Sequence, residues 1–196
     1  MTLTVLSVMF TAIISQNIVL SQYQGICPFL GVSKKMSSAA GMGLAVIFVM
    51  AISSVFCWLV YEYILTPLEL EYLSTMAFIL VIASLVQLLE MALRRFSPTL
   101  YSALGVYLPL ITTNCAILGT ANSTIVFSSY ESFGLVFAAS VATGVGFLLA
   151  ICLLAGVRLK TDKADIPKCF KGFPITLVTA AIMAMAFAGF SGMLAG

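Results

Sequence analysis

Long apolar runs, interrupted by short polar segments, dominate the hydrophobic pattern of this chain. An α-helix needs about 20 residues to cross roughly 30 Å of hydrocarbon. Six runs reach that length: Leu3–Ile26, Ala39–Tyr61, Tyr72–Leu93, Thr99–Gly119, Phe133–Val157 and Phe173–Leu194. The pattern therefore predicts an all-α integral membrane protein, with residues 1–196 forming a single transmembrane domain of six helices.

The composition favours the same class of protein. Of the 196 residues, 62% are hydrophobic and 8% are charged, whereas soluble domains carry about 25% charged residues. A net charge of +2 is too small to indicate a nucleic-acid partner, and a chain without histidine has no imidazole ligand or base. No basic residue precedes Lys34, so the N-terminus does not resemble a cleavable signal peptide and is expected to be part of the first span.

The basic residues are confined to alternate connections between the predicted spans. Lys34 and Lys35 follow the first span, and Arg94 and Arg95 follow the third. The others lie between the fifth and sixth spans: Arg158, Lys160, Lys163, Lys168 and Lys171. Connections rich in Lys and Arg stay in the cytoplasm, so both termini are predicted to lie on the outer side of the membrane.

A short motif occurs once in each half of the chain. Cys27–Gly31 (CPFLG) is repeated as Cys115–Gly119 (CAILG), with three of five positions identical and the second copy starting 88 residues after the first. The halves, about 1–97 and 98–196, would then hold three spans each, and an odd number of spans inserts the second half upside down. Chance similarity between two apolar segments is the alternative. The alternating loop charges favour an inverted-topology repeat of three plus three helices.

Both motif-bearing spans contain polar or helix-breaking residues well inside the apolar run. They are Gln22, Gln24, Gly25 and Pro28 in the uncharged stretch Met1–Ser33, and Pro109, Thr112, Thr113, Asn114 and Gly119 in the uncharged stretch Phe96–Tyr130. Irregular backbone at membrane depth is tolerated only where protein or a cavity covers it. We therefore predict that the first and fourth helices are broken near the midplane, and that the repeat brings Cys27 and Cys115 together there.

Cys27 and Cys115 differ from the other three cysteines because they occupy equivalent positions beside the predicted breaks. Cys57 and Cys152 lie within apolar runs and are expected to pack as small hydrophobic residues, while Cys169 lies in a basic loop. Three roles stay open for the equivalent pair: inert packing, a disulfide bond or metal ligation. Iron–sulfur clusters are commonly held by four thiolates, so two symmetric cysteines would supply half of a set that a second, similar chain completes.

Two further features of the spans have candidate roles. Glu90 is the only acidic residue well inside a span, and an intramembrane carboxylate is a candidate for ion or proton passage. Arg94 lies four residues later, so the pair could instead anchor the cytoplasmic end of its helix. Pairs of closely spaced glycines predict close helix contacts: Gly41 with Gly43, Gly144 with Gly146, and Gly189 with Gly192.

With their flanking residues, the two cysteine motifs resemble those of the A subunit of the Rnf complex. The matching segments are Cys27–Lys35 (CPFLGVSKK) and Leu108–Ala116 (LPLITTNCA), with further similarity at Val86–Met91 and Ala188–Gly192. The E subunit of the sodium-pumping NADH:quinone reductase, Nqr, is closely related and is the alternative assignment. Pro28 and the short connection between the second and third spans favour Rnf.

This resemblance implies a subunit, inactive alone, of an oxidoreductase complex in the cytoplasmic membrane of a bacterium. The Rnf complex passes electrons between reduced ferredoxin and NAD⁺ and moves Na⁺ or H⁺ across the membrane. The implied partners are a homologous E-type sister subunit of opposite orientation, the B, C, D and G subunits, and membrane lipid.

The resemblance also implies a 2Fe–2S cluster that the A and E subunits share, with two cysteine ligands from each. In this chain those ligands are Cys27 and Cys115. Four neighbouring polar residues are candidate hydrogen-bond donors to cluster sulfur, unless they only satisfy backbone groups freed by the helix breaks: Gln24, Thr112, Thr113 and Asn114.

Without the resemblance, a small secondary transporter is the leading alternative function. Inverted repeats with broken helices also build substrate sites in transporters, and Gln24, Thr112 and Asn114 would then contact the substrate. A purely structural scaffold subunit is the third possibility. Bound iron would separate the redox function from the other two.

Overall fold

The structure, a computed structural model, describes residues 2–67, 71–96, 110, 114–127, 133–161, 163–165, 167 and 170–190. Within these residues the chain forms seven α-helices and no β-strand. The helices are α1 (Thr2–Phe10), α2 (Ile26–Val32), α3 (Met36–Val60), α4 (Ser74–Phe96), α5 (Cys115–Ala121), α6 (Phe133–Thr161) and α7 (Phe173–Ala188). The predicted all-helical class is therefore confirmed for the described part of the chain.

Three helical stretches are long and apolar enough to cross a membrane. They are Met36–Leu65, which is α3 with a π-helical continuation, Ser74–Met91 within α4, and Phe133–Thr161, which is α6. These stretches correspond to the second, third and fifth predicted spans. Most of the fourth predicted span lies outside the described residues, so the count of six spans stays a prediction.

The first predicted span, Leu3–Ile26, is helical only in its first part, and a second helix begins where the span was predicted to end. The helix that starts with α1 continues through a π-helical turn, Thr11–Ser15, and ends there. No regular helix follows until α2 begins at Ile26. The helix thus ends several residues before Gln22, the first polar residue that suggested a break. Pro28 was expected to interrupt a helix, but it lies in the first turn of α2. The N–H groups of a first turn have no acceptor within the helix, so the N–H that proline lacks costs no helical hydrogen bond there.

Asn17 explains why the first helix ends so early. Its side chain is fully buried, and its Nδ2 donates to the Ile13 carbonyl at 3.0 Å and to the Gly146 carbonyl at 2.9 Å. Its Oδ1 accepts the N–H groups of Val19 and Leu20 at 3.1 and 3.3 Å. An asparagine side chain that bonds to nearby backbone competes with the helix, so the chain turns away at this point.

The most extensive contact between helices joins α3 and α6. Gly43 of α3 lies against Leu148 of α6, and Gly144 of α6 lies against Ile47 of α3. The residue numbers rise along one helix as they fall along the other, so the two helices run antiparallel. The predicted close contacts at Gly43 and Gly144 are confirmed, whereas a Cβ atom at Gly41 would meet nothing within 4 Å.

The basic ends of two connections meet at one end of the bundle. Arg158, in the last turn of α6, donates from Nη1 to the Leu30 carbonyl at 3.1 Å and to Ser33 Oγ at 2.8 Å. The Leu30 carbonyl is near the end of α2, where backbone acceptors lack helical partners. Lys34 and Lys35 follow directly, so the first and last basic connections lie on the same side.

Candidate functional site

Cys115 lies against the break in the first span. Its Sγ accepts a hydrogen bond from the backbone N–H of Gly25 at 2.9 Å. Gly25 stands two residues before Cys27, although it is 90 residues from Cys115. The structure therefore places the second cysteine motif against the residues that directly precede the first motif. The predicted approach of Cys27 and Cys115 near the midplane stays a prediction.

Both motif thiols lie on the surface of the chain. Cys27 is the second residue of α2 and Cys115 is the first residue of α5, and each is a free, exposed cysteine. Cys57 is buried in the core and Cys152 is partly buried, in line with the hydrophobic packing expected of them. Cys169 lies outside the described residues. The two exposed thiols are therefore available to a ligand or to a partner chain, and they do not form a disulfide bond.

A second contact joins the motifs through Gln24 and Gly119. The Gln24 side chain occupies the space where a Cβ atom at Gly119 would be, with Nε2 3.0 Å from that position. At Gly31, the equivalent position of the first motif, nothing lies within 4 Å. Gln24 Oε1 is buried and has no hydrogen-bond partner within the described part of the chain. The motif glycines thus look identical in the sequence but have different surroundings.

Asn114 caps the start of α5. Its Oδ1 accepts the Ala116 N–H at 3.1 Å, and its backbone carbonyl accepts the Ile117 N–H at 3.1 Å. Asparagine is favoured at this position because it satisfies an N–H group that has no partner within the helix. Asn114 is 5% exposed, and no described residue accepts a hydrogen bond from its Nδ2. Asn114 Oδ1 therefore pairs with a backbone N–H group, whereas Nδ2 is a donor that no described residue uses.

The other residues singled out from the sequence are not tested by a described contact. Thr112 and Thr113 lie outside the described residues. Glu90 is half-buried on α4, but the side chain of Arg94 is not described. The Glu90–Arg94 pair and the role of Glu90 in ion passage both stay predictions.

A cavity of about 340 Å³, lined by both polar and apolar side chains, lies beside the break, and no sequence pattern indicated it. Its lining comes from four parts of the chain: Ser7, Val8, Thr11 and Ala12; Gln16, Ile18 and Gln22; Thr120 and Ser123; and Ala139 and Thr143. The hydroxyls of Thr11 and Thr143 each donate to a carbonyl four residues earlier at 2.8 Å. Their protons are therefore used within the helices, which leaves their oxygen atoms able to accept hydrogen bonds.

Scattered serine and threonine residues gave no sequence signal for this cavity. Such residues are common inside membrane helices, where they bond to their own backbone or to a neighbouring helix. Only the packing of the first helix against α5 and α6 brings these hydroxyls to one place. Gln22 was singled out as a helix breaker, and the structure adds that it lines the cavity.

These features define a class of protein: a helical membrane protein in which two separated sequence motifs meet at a helix break and present two exposed thiols. A family model described as "Rnf-Nqr subunit, membrane protein" matches residues 5–194. The chain therefore belongs to the Rnf-Nqr family of membrane subunits. The resemblance inferred from the cysteine motifs is confirmed.

Individual relatives match almost the whole chain. The A subunit of the Na(+)-translocating ferredoxin:NAD(+) oxidoreductase complex of Acetobacterium woodii is 53% identical over 194 residues, which cover 99% of this chain and 100% of that protein. The A subunit of the ion-translocating oxidoreductase complex of Syntrophotalea carbinolica is 49% identical over 191 residues, or 97% and 98% of the two chains. The protein of the same name from Cronobacter sakazakii is 49% identical over 187 residues, or 92% and 93%.

Proposed function

We propose that this chain is the A-type membrane subunit of an ion-translocating ferredoxin:NAD⁺ oxidoreductase, and that Cys27 and Cys115 supply half the ligands of a 2Fe–2S cluster. A homologous E-type sister subunit of opposite orientation would supply the other half. The observation that carries the proposal is the contact of Gly25 N–H with Cys115 Sγ, which joins the motifs while both thiols stay exposed. The names of the relatives support the complex and its reaction.

The residues around the two thiols fit an iron–sulfur cluster. Thiolates are its usual ligands, and cluster sulfur accepts hydrogen bonds, for which Asn114 Nδ2 is a buried donor unused by the described residues. No group of three or more His, Cys, Asp or Glu side chains that could hold a metal ion occurs among the residues that the structure describes. Cys27 and Cys115 would supply two of the four thiolates that commonly hold such a cluster, and the proposal assigns the other two to the sister subunit.

The task of this chain would be to hold and position the ligands. α2 and α5 each present one cysteine within their first two residues, and Asn114 and Gln24 fill the space between the motifs. When bound, the cluster would accept and release single electrons partway across the bilayer, between sites on the B, C, D and G subunits.

The proposal also covers the number of membrane spans, the repeat and the orientation of the chain in its membrane. The chain would cross the bacterial cytoplasmic membrane six times as a three-plus-three inverted repeat, with both breaks near the midplane and both termini outside. The antiparallel contact of α3 with α6 supports the repeat. The meeting of Arg158 with the segment before Lys34 and Lys35 supports the orientation.

Ion passage needs polar groups within the bilayer, and the cavity beside the break offers them. Hydroxyl and amide oxygens are suitable ligands for hard cations and for water. Glu90 remains the acidic candidate for ion or proton entry, with helix anchoring by Arg94 as its alternative role.

The test is to co-express the chain with its sister subunit under anaerobic conditions and to measure iron and acid-labile sulfide in the purified pair. The native pair is compared with pairs that carry Cys27→Ser or Cys115→Ser. Cys152→Ser is the matched control, because Cys152 is also a free cysteine but is only partly exposed on α6.

We expect iron and sulfide in the native pair and in the Cys152→Ser pair, and the loss of both in either motif variant. A stable native pair without iron would remove the redox role from Cys27 and Cys115. In that case, solute uptake by the isolated chain would separate a transporter from a scaffold subunit.

A further inference from the structure

We propose that the backbone N–H of Gly25 is a hydrogen-bond donor that positions the Cys115 sulfur and raises the reduction potential of the cluster which that sulfur would ligate. The inference rests on the proposed function, because it concerns the same metal centre. The N–H lies 2.9 Å from Cys115 Sγ. It belongs to the backbone of the first half, whereas the donors suggested by the sequence were side chains.

The direction of this N–H is set by a turn with its own hydrogen bonds. The N–H of Ser21 donates to the Asn17 carbonyl at 2.8 Å, and the N–H of Gln24 donates to the Ile18 carbonyl at 3.0 Å. Asn17 and Ile18 are both buried. The donor to Cys115 is therefore held by buried backbone.

The position accepts only glycine without rearrangement. Gly25 has a φ of 77°, in the left-handed region that other residues rarely adopt. A Cβ atom there would lie 3.0 Å from Ala116 Cβ, 3.0 Å from Phe147 Cε2 and 3.2 Å from Asn114 Oδ1. These neighbours come from two parts of the chain, the start of α5 and the middle of α6, so the movement of one side chain would not make room. Any larger residue would shift the N–H away from the sulfur.

The glycine that provides this donor is not repeated in the sequence of the second half. At the spacing of 88 residues that relates the two motifs, the counterpart of Gly25 is Thr113. Threonine is a β-branched residue, for which a left-handed φ is a genuine outlier. We therefore expect the two thiols of this chain to be inequivalent as ligands, with Cys115 receiving the additional backbone donor.

The direction of the effect on the potential follows from charge. A reduced cluster carries one more negative charge than an oxidised cluster, and hydrogen bonds to a charged acceptor are stronger than bonds to a neutral one. The N–H of Gly25 would therefore stabilise the reduced form more than the oxidised form. Hydrogen bonds to cluster sulfur are among the factors that set such potentials.

The test uses the co-expressed pair, purified anaerobically from a glycine auxotroph supplied with ¹⁵N-glycine. Pulsed electron paramagnetic resonance of the reduced centre detects ¹⁵N nuclei that are hydrogen-bonded to it. Redox titration gives the midpoint potential of the same samples. Gly25→Ala is compared with Gly31→Ala, a matched control in the first motif at which an added Cβ atom meets nothing within 4 Å.

We expect a ¹⁵N coupling in the native pair and in Gly31→Ala that is missing from Gly25→Ala, together with a lower midpoint potential in Gly25→Ala alone. An iron-loaded native pair without ¹⁵N coupling would overturn the inference and leave the proposed function standing. A native pair without iron would instead contradict the proposed function. If Gly25→Ala does not assemble, the labelled and unlabelled native spectra still decide, because identical spectra exclude the bond.

Discussion

At the scale of single residues, the side chain of Asn17 provides the hydrogen-bond partners that backbone groups would provide in an unbroken helix. Inside a bilayer no water is available to pair with freed N–H and carbonyl groups, so a helix can end there only where protein supplies partners. The side chain of Asn17 supplies them on both sides of the break and to α6. A buried amide that makes four hydrogen bonds is costly to remove.

Asn17→Ala is expected to lower the free energy of unfolding by about 3 kcal/mol or more, because each buried polar group left without a partner costs about 1–3 kcal/mol. Thermal unfolding of the purified chain in detergent measures the loss. Gln16→Ala is the control, since Gln16 is the exposed neighbour and exposed substitutions change stability by about 0.5 kcal/mol or less. Equal losses in the two variants would contradict the role of Asn17.

The sequence could identify the cysteine motifs but could not rank the polar residues around them. Gln24 and Asn114 were noticed because they stand beside Cys27 and Cys115. Asn17 is equally polar, but its partner Gly146 is 129 residues away, and no local pattern reveals such a contact. Gly25 was noticed only as a helix breaker, because the donor role of a backbone N–H leaves no trace in residue type.

At the scale of helices, hydrophobic length predicted where the spans lie better than where they end. α3, α4 and α6 each begin within three residues of the predicted start of the corresponding span. The first helix ends at Ser15, because the hydrogen bonds of Asn17, which hydrophobic length does not report, turn the chain away there. The π-helical turns were not predicted, because a few residues of altered pitch do not change an apolar run.

The contact between α3 and α6 depends on the missing side chain of Gly43. We expect Gly43→Ala to destabilise the fold by about 1–3 kcal/mol, because overpacking forces backbone shifts of that cost, and a Cβ atom there would lie 3.2 Å from Leu148 Cα. Gly41→Ala, two residues earlier in the same helix, should be neutral or slightly stabilising, because alanine favours helix by about 1 kcal/mol over glycine. Thermal unfolding of both variants in detergent tests this, and a destabilised Gly41→Ala with an unaffected Gly43→Ala would refute it.

At the scale of the whole molecule, the charged connections and the helix packing agree. The basic residues predicted a common side for alternate connections, and the hydrogen bonds of Arg158 to Leu30 and Ser33 bring two of those connections together. The repeat could be suspected from five residues and the charges. Its second break could not be compared with the first, because 97–109 and 111–113 lie outside the described residues.

The predicted orientation can be tested with topology reporters. A reporter that is active only in the cytoplasm should be inactive when fused after Gly196, and a reporter that is active only outside should be active there, because an even number of spans returns the chain to its starting side. A fusion after Lys163, in the basic connection, should give the opposite pair of results. Cytoplasmic activity at Gly196 would show that the orientation is wrong.

The attachment of the first span to α6 has a consequence for biosynthesis. Asn17 and Leu30 find their partners Gly146 and Arg158 only 128 to 129 residues later in the chain. At a synthesis rate of about 5–20 residues per second, a nascent chain waits roughly 6 to 26 seconds between the emergence of the break and that of its partners. During this interval Asn17 lacks its bond to Gly146 and the Leu30 carbonyl lacks its bond to Arg158. Because unpaired polar groups are costly in lipid, we expect the segment to stay with the insertion machinery or at the membrane interface until α6 is made.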